Sequence, residues 1–276
     1  MMQPIVQPEE LADLAKMPDV VLIDAGESIT YAMQHLKGAV YADLNADLAN
    51  VPEDPANGGR HPLPDVTEFG NVLARLGITP QSHVIVYDDK GGALSAARFW
   101  WMLRAAGHKK VQVLNGGLSA AVKAGFPLSD LVEIPVPAEV YVFNEWQLPL
   151  ALIDEVETAA KDTGRIVVDV RATPRYEGKT EPIDTIAGHI PGAINIPFET
   201  NLDADGLYLS PEELKDKYTT AFGNVLTSDV IIHCGSGVTA CHTVLAIDYA
   251  GLPLPKLYVG SWSEWSRRGK EIAVTT

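Results

Sequence analysis

The sequence predicts an α/β protein built from two similar domains in tandem, each a mostly parallel sheet flanked by helices. Short apolar runs typical of buried strands alternate with helical patterns along the chain, as they do in α/β folds. Several markers also recur at an offset of about 145 residues, which indicates a duplicated domain. The recurring markers, written as pairs, are Asp24 and Asp169, Asp88 and Cys234, and Gly116 and Gly260.

The first domain is predicted to cover residues 1–125 and to contain a loop rich in Pro, Asn and Gly over residues 50–64. Its predicted elements, in chain order, are helix Pro8–Lys16, strand Val20–Asp24, a helix and turn over Tyr31–Val40 that leads into a further strand, helix Asp65–Leu76, strand Val84–Tyr87, helix Ala93–Ala106 and strand Val111–Leu114. Residues 126–150 contain prolines without helical periodicity and are expected to form a linker. Residues 151–276 are predicted to form the second, catalytic domain.

The composition is typical of a globular protein and excludes several classes of partner. The chain has 276 residues, of which 46% are hydrophobic and 21% charged, enough for two packed domains. Its formal net charge of −15 argues against binding to nucleic acid or anionic membranes. Only two cysteines occur, the N-terminus lacks the pattern of a signal peptide, and no apolar run approaches a membrane span. We therefore expect a cytoplasmic protein, and no motif requires a cofactor or a metal ion.

The stretch that carries the chemistry joins strand Val230–Ile232 to a helix that begins near Val238 and ends at Gly251. Between them lies Cys234-Gly-Ser-Gly-Val-Thr, a turn in which glycines allow several N–H groups to converge on one point. The adjacent helix N-terminus favours a thiolate over a thiol. The alternative is that Cys234 is a small buried core residue, but a core cysteine does not require Gly-Ser-Gly after it. The pattern favours a sulfur nucleophile.

Two chemistries use a cysteine loop of this kind, and the loop's charge separates them. Cysteine phosphatases require an arginine at the sixth residue after the cysteine to hold phosphate. That position is Ala240 here, and residues 235–243 contain no Lys or Arg. A phosphate dianion would therefore meet only backbone dipoles, which disfavours phosphatase or arsenate reductase chemistry and leaves sulfur transfer.

On these residues the chain resembles the rhodanese superfamily, and the sequence that begins at Cys234 looks like the active loop of 3-mercaptopyruvate sulfurtransferases. The resemblance implies a tandem rhodanese architecture in which Cys234 takes sulfane sulfur from 3-mercaptopyruvate as a persulfide and passes it to cyanide or to a thiol acceptor. A thioredoxin-like protein is one candidate acceptor. Thiosulfate is the alternative donor, and a non-catalytic persulfide carrier or redox sensor is the alternative from another class. The first domain has Asp88 in place of the cysteine, so it is expected to be a non-catalytic copy that packs against the active half and lends residues to the cleft.

The resemblance also implies which residues bind the donor. In the families that this chain resembles, the arginine of an Asp-x-Arg motif binds the anionic group of the donor, and the matching residue is Arg171. An ion pair with a surface carboxylate is the alternative role for that arginine. Arg60 is a further cation for the same cleft. The loop residues expected to hold the transferred sulfur are Gly235, Gly237, Val238 and Thr239.

A proton relay is implied for a carbonyl donor, because mercaptopyruvate leaves as an enolate that must be protonated. In related enzymes the loop serine is proposed to act with a histidine and an aspartate of the first domain; the serine is Ser236 and the histidine matches His61. For the aspartate, Asp43 and the family position at Asn45 both remain open. Two departures weaken the choice of donor: Ile183 follows Glu-Pro where mercaptopyruvate enzymes usually have a second arginine, and Leu94 stands where they tend to have tyrosine.

Overall fold

The computed structural model describes residues 2–275, which form two compact units. The first unit consists of residues up to Asn50 together with Pro64–Gln147 and Ala204–Tyr208. The second consists of Val51–Leu63, Leu148–Asp203 and the residues from Leu209 onward. The prediction treats each domain as continuous, whereas each unit of the structure includes a short segment from the other half of the chain. This exchange places residues 51–63 in the same unit as Cys234.

The first unit contains a five-stranded parallel sheet in the order β1-β6-β5-β2-β4, and β3 pairs antiparallel with β7. The strands are β1 Ile5–Val6, β2 Val20–Asp24, β3 His35–Leu36, β4 Val40–Tyr41, β5 His83–Tyr87, β6 Val111–Leu114 and β7 Leu128–Ser129. The helices are α1 Pro8–Leu14, α2 Ser28–Met33, α3 Leu44–Asp47, α4 Val66–Arg75, α5 Ser95–Ala105 and α6 Gly117–Lys123. Predicted strands 20–24 and 111–114 agree with the structure in full.

The second unit contains a four-stranded parallel sheet in the order β11-β10-β8-β9. Its strands are β8 Ile166–Asp169, β9 Ile194–Asn195, β10 Val230–His233 and β11 Lys256–Leu257. Its helices are α7 Ile153–Ala159, α8 Thr173–Tyr176, α9 Pro211–Phe222, α10 Thr239–Tyr249 and α11 Ser261–Trp265, with single 3-10 turns at Phe198–Asn201 and Thr227–Asp229. The predicted α/β class with mostly parallel sheets is confirmed.

Capping and burial explain where the principal elements begin and end. Asp65 caps α4 and forms a capping box with Glu68, so the helix starts one residue after the predicted start. Ser210 and Glu213 form the equivalent box on α9. Strands β5 and β10 are buried along their whole length, as expected for central strands covered on both faces. Within the described residues, no helix is both long and apolar enough to span a membrane.

Strand register confirms the internal duplication residue by residue. In the first sheet Asp24 of β2 lies opposite Tyr87 of β5, the residue before Asp88. In the second sheet Asp169 of β8 lies opposite His233 of β10, the residue before Cys234. Asp88 and Cys234 therefore follow the same end of equivalent strands. Parallel sheets bind their ligands beyond these carboxyl ends.

Candidate active site

Cys234 lies directly after β10, and its backbone is fixed by the first residues of α11. Its N–H donates to Ser261 Oγ at 3.1 Å, and its carbonyl accepts from the Trp262 N–H at 3.0 Å. Ser261 Oγ in turn donates to the Tyr258 carbonyl at 2.8 Å. Ser261 has φ 52°, the left-handed region that a residue other than glycine adopts at a cost. This strained serine anchors the start of the loop and leaves the Cys234 side chain 2% exposed.

The rest of the loop has the conformation that the glycines predict. Gly237 has φ 73°, and a Cβ on it would lie 2.5 Å from the Val259 carbonyl oxygen, so no other residue fits. Val238 is the buried cap residue of α10, and Thr239 is its first residue. The Gly235 carbonyl accepts from the Ser263 N–H at 2.9 Å. The loop thus ends at the positive N-terminus of an eleven-residue helix.

Ser236 and His61 meet in the second unit. The Ser236 hydroxyl and His61 Nδ1 are 2.8 Å apart, and either can be the donor. The segment that carries His61 is held by its neighbour, because the Arg60 N–H donates to Ser263 Oγ at 3.0 Å. Gly59, with φ 87°, lies against the backbone of Gly260, where any side chain would clash. The structure therefore joins two residues that stand far apart in the sequence; their function as a relay stays a prediction.

Arg171, which the sequence analysis expects to bind the donor, is held by several buried partners, and its contact with the donor stays a prediction. Its guanidinium is buried and donates to both Asp169 oxygens, to Glu181 Oε2 at 3.2 Å and to the Gly188 carbonyl at 2.7 Å. It also stacks on the ring of Trp262, with Cζ 4.6 Å from the centroid. All of these partners belong to the scaffold beneath the loop. The carboxylates that pair with Arg171 are buried, whereas the alternative role that the sequence suggests for this arginine is an ion pair at the surface.

Arg175 is the cation that sequence reasoning missed. It lies on α8, and Glu181 holds its Nε at 3.2 Å and its Nη2 at 2.6 Å. A Cβ on Gly235 would lie 3.5 Å from Arg175 Nη2 and 3.2 Å from Arg60 Nη2. Two guanidiniums therefore flank the cysteine loop. The signal in the sequence is the second arginine of Val-Arg-Ala-Thr-Pro-Arg, four residues after the first.

The buried ionisable groups below the loop serve the scaffold. Burial by itself would raise the pKa of Asp169, but the neighbouring His233, when it is protonated, and the permanently charged Arg171 lower it below the usual value. Burial lowers the pKa of His233, whose Nδ1 hydrogen bonds to the Cys234 carbonyl at 3.2 Å. The neutral imidazole is therefore the form present near neutral pH, and Arg171 is the charge that pairs with Asp169. Cys241 is buried, with Sγ 3.3 Å from the Gly237 carbonyl, which agrees with a packing role.

The corresponding loop of the first unit contains a carboxylate in place of the cysteine. Asp88 is 1% exposed, and its two oxygens accept four backbone N–H groups. The donors are Lys90 at 2.9 Å, Gly92 at 2.7 Å, Leu94 at 3.0 Å and Ala96 at 3.1 Å. The loop geometry thus gathers N–H groups around one anion. In the same unit Asp43, a candidate for the relay, caps α3 by accepting from the N–H groups of Asn45 and Ala46.

No group of three or more potential metal ligands comes together within residues 2–275. The chemistry available at the loop is that of a thiol, a hydroxyl, an imidazole and two guanidiniums.

Comparison with known proteins gives consistent matches. The family model described as Rhodanese-like domain matches residues 7–124 and 152–268. A probable 3-mercaptopyruvate sulfurtransferase of Pseudomonas aeruginosa is 39% identical, covering 93% of both chains. A thiosulfate sulfurtransferase of Mus musculus is 38% identical, covering 86% of this chain and 79% of its own. The solved structure of a 3-mercaptopyruvate sulfurtransferase from Leishmania major is 32% identical with a TM-score of 0.82, covering 96% of this chain and 74% of that one.

Proposed function

The chain belongs to the rhodanese-like family, and on that premise we propose that it is a sulfurtransferase acting through a persulfide on Cys234. The observation that carries the proposal is the Cys234 loop with the Ser236–His61 contact beside it. The Cys234 thiolate attacks the sulfur of the donor, the bond between that sulfur and the rest of the donor breaks, and its electron pair leaves with the donor. An acceptor then attacks the outer sulfur and releases the Cys234 thiolate.

The Asp88 loop supports a persulfide in the equivalent position. The carboxylate oxygens of an aspartate are three bonds from Cα, and so is the outer sulfur of a cysteine persulfide. Four N–H groups surround the Asp88 oxygens. Cys234 likewise lies between a central parallel strand and a helix, although its loop reaches α10 two residues sooner than the Asp88 loop reaches α5. The N–H groups of Gly235, Gly237, Val238 and Thr239 are the predicted donors to the persulfide, and this assignment remains part of the proposal. A loop built in this way stabilises negative charge on the outer sulfur.

The donor's anionic group is assigned to Arg175 and Arg60 in place of Arg171. Both guanidiniums border Gly235, while the Arg171 guanidinium donates to two buried carboxylates and a carbonyl. Arg171 then acts indirectly, because it shares Glu181 with Arg175 and so fixes the position of that side chain. Two guanidiniums at one edge of the loop suit a planar carboxylate.

We propose 3-mercaptopyruvate as the donor because of the Ser236–His61 contact. When the carbon–sulfur bond of mercaptopyruvate breaks, the electron pair passes to carbon and the product leaves as an enolate that takes up a proton. Ser236 can donate that proton and His61 Nδ1 can resupply it, since the two atoms are 2.8 Å apart. Thiosulfate releases sulfite and requires no proton at cleavage, so it makes no use of this pair. The acceptor is cyanide or a thiol, and a thioredoxin-like protein remains a candidate.

Turnover with mercaptopyruvate and thiosulfate, measured side by side with cyanide as acceptor, tests this proposal. We expect Ser236→Ala to lower kcat with mercaptopyruvate by about 10²-fold and to leave thiosulfate turnover nearly unchanged. His61→Ala should give the same loss, and the double variant should lose no more. Equal losses with both donors would assign Ser236 to shaping the loop and favour thiosulfate. No turnover with either donor would favour a persulfide carrier or a redox sensor.

A further inference from the structure

A buried carboxylate outside the predicted site connects to the guanidiniums beside the loop. Asp184 follows Glu181 in the segment between α8 and β9, and its side chain is 0% exposed. Its Oδ1 accepts from Arg60 Nη1 and, at 2.7 Å, from Arg267 Nη1. Arg175 Nη2 is 3.8 Å from its Oδ2, and that oxygen has no hydrogen-bond partner in the described chain. Three guanidiniums thus surround one buried charge.

The contacts of Asp184 determine which part of Arg60 reaches the loop. Because Asp184 engages Nη1 of Arg60, the other terminal nitrogen, Nη2, is the one that lies 3.2 Å from the position of a Gly235 Cβ. Arg175 is held in a comparable way, but by Glu181 through Nε and Nη2. Asp184 therefore aims Arg60, and Glu181 aims Arg175.

The charge of Asp184 also limits what the site can bind. Three guanidiniums at Arg60, Arg175 and Arg267 face two carboxylates at Asp184 and Glu181, and Glu181 is shared with Arg171. An anionic donor beside Gly235 experiences the attraction of Arg60 and Arg175 and the repulsion of Asp184. Both interactions double for a donor with two negative charges, so the Asp184 charge reduces the advantage that the guanidiniums alone would give a dianion. Mercaptopyruvate brings one carboxylate, whereas thiosulfate is a dianion.

We infer that Asp184 is a positioning residue that orients Arg60 toward the cysteine loop and biases the site toward monoanionic over dianionic donors. The inference deepens the proposed function and rests on it for the identity of the donors. Its electrostatic part concerns the surroundings of the Cys234 sulfur and can be measured without any turnover.

Asp184→Asn is the variant that isolates the charge. An asparagine oxygen can still accept from Arg60 and Arg267, so the orientation is retained while the negative charge is lost. We expect the ratio of kcat/KM for thiosulfate to that for mercaptopyruvate to rise by about tenfold to thirtyfold, the size of effect that one charge roughly 8–12 Å away produces at an effective dielectric constant of about 20. Asp216→Asn is the matched control, because it removes the same charge from an exposed position on α9.

The rate of Cys234 alkylation gives the second readout. Iodoacetate is an anion and iodoacetamide is neutral, so the ratio of their rate constants at Cys234, followed by peptide mass mapping, reports the local charge. The ratio should rise in Asp184→Asn, stay unchanged in Asp216→Asn and fall in Arg60→Gln. If Asp184→Asn fails to fold, Arg60→Gln still tests the arrangement, because an unchanged ratio there overturns it.

The outcomes separate the two proposals. Absence of turnover with both donors would overturn the proposed function and leave the alkylation ratio to decide on Asp184. An alkylation ratio and a donor ratio that both stay at the wild-type value in Asp184→Asn would overturn the inference while the sulfurtransferase proposal stands. A merely structural Asp184 would lower activity with both donors equally and shift neither ratio.

Discussion

The loops that follow Tyr87 and His233 occupy equivalent places in two similar parallel sheets, yet one begins with a carboxylate and the other with a thiol. In the first, the Asp88 carboxylate takes four backbone N–H groups from the loop and from the start of α5. In the second loop, the thiol of Cys234 takes the place of that carboxylate. The hydrogen bonds of Asp88 show an anion-binding loop in the first unit, and the proposed persulfide assigns the same use to the loop of the second. Asp88 supplies its own negative charge and fills the first loop. In the proposed function, Cys234 brings a negative charge to the same place in the second loop once it has taken a sulfur atom from the donor.

The second difference lies in the cations. The first unit has Gly26 and Thr30 at the positions, offset by about 145 residues, that Arg171 and Arg175 occupy in the second. The backbone contact is kept, because the N–H groups of Gly26 and of Arg171 both donate to the aspartate two residues before them. The guanidiniums are found only in the second of these two equivalent turns. Duplication thus preserved the turn, and only the second copy has the charges that an anionic donor requires.

Replacing Cys234 with aspartate makes the second loop chemically like the first and should have the largest effect. Turnover should fall by about 10³-fold or more, because a carboxylate forms no persulfide. The fold should survive, which urea unfolding can establish. Cys241→Ala is the control and should retain most of the activity. If Cys234→Asp retains turnover that disappears when Cys241 is also replaced, then Cys241 and not Cys234 carries the transferred sulfur.

Replacing the two arginines should separate binding from structure. Arg175→Thr copies the first unit and should raise KM for an anionic donor by about tenfold or more, through loss of a charge-assisted contact. Arg171→Ala should instead lower the free energy of unfolding by about 3–5 kcal/mol, because it leaves buried Asp169 without its partner. For both variants, steady-state kinetics measures KM and urea unfolding measures the free energy of unfolding. A raised KM at full stability in Arg171→Ala would return donor binding to that residue.

Removing the Asp88 carboxylate tests whether its hydrogen bonds hold the first loop in place. Asp88→Ala leaves four N–H groups without their acceptor and should lower the free energy of unfolding by about 3 kcal/mol. Asp89→Ala is the control at the neighbouring residue, whose carboxylate accepts from Thr30 Oγ1 at 2.9 Å and, within the described residues, from no backbone N–H that closes the loop, and it should cost about 1 kcal/mol, the value of a single hydrogen bond. Chemical denaturation compares them. Equal stability of the two variants would contradict the description of a loop filled by its carboxylate.

The helices that follow the two loops, α5 and α10, should contribute differently to the pH dependence of stability. Ala96 donates to Asp88 in the first unit, and the residue at the same offset in the second is the buried His242. Burial lowers the pKa of His242 to about 3, so the folded chain does not take the proton that the unfolded chain binds below about pH 6.5. Stability should therefore fall as the pH drops from about 6.5 toward 3, by about 2 kcal/mol at pH 5. His242→Gln should remove that part of the slope; an unchanged slope would show that other groups cause it.

Much of the fold could be predicted because the same order of strands and helices occurs in both halves of the sequence. The buried strands and the glycine-bounded helices fixed the class and the duplication, and the family match over both halves confirms the rhodanese assignment. The exchange of residues 51–63 between units could not be predicted, since it depends on contacts such as that of Arg60 with Ser263.

The site was predictable where backbone geometry determines it and not where side-chain direction does. Cys234 follows a strand and precedes a helix, which the sequence alone reveals. A charged residue at a strand end can turn toward the cleft or toward the interior, and no periodicity distinguishes these for Arg171. Asp184 had no motif at all, because its importance comes from three arginines that are distant in the sequence.

The most direct test of the account is the intact mass of the protein after incubation with mercaptopyruvate and removal of excess donor. We expect an increase by the mass of one sulfur atom, located on Cys234 by peptide mapping, lost on addition of cyanide and absent from Cys234→Ser. A sulfur adduct that persists in Cys234→Ser, or no adduct in a protein that still transfers sulfur, would contradict it.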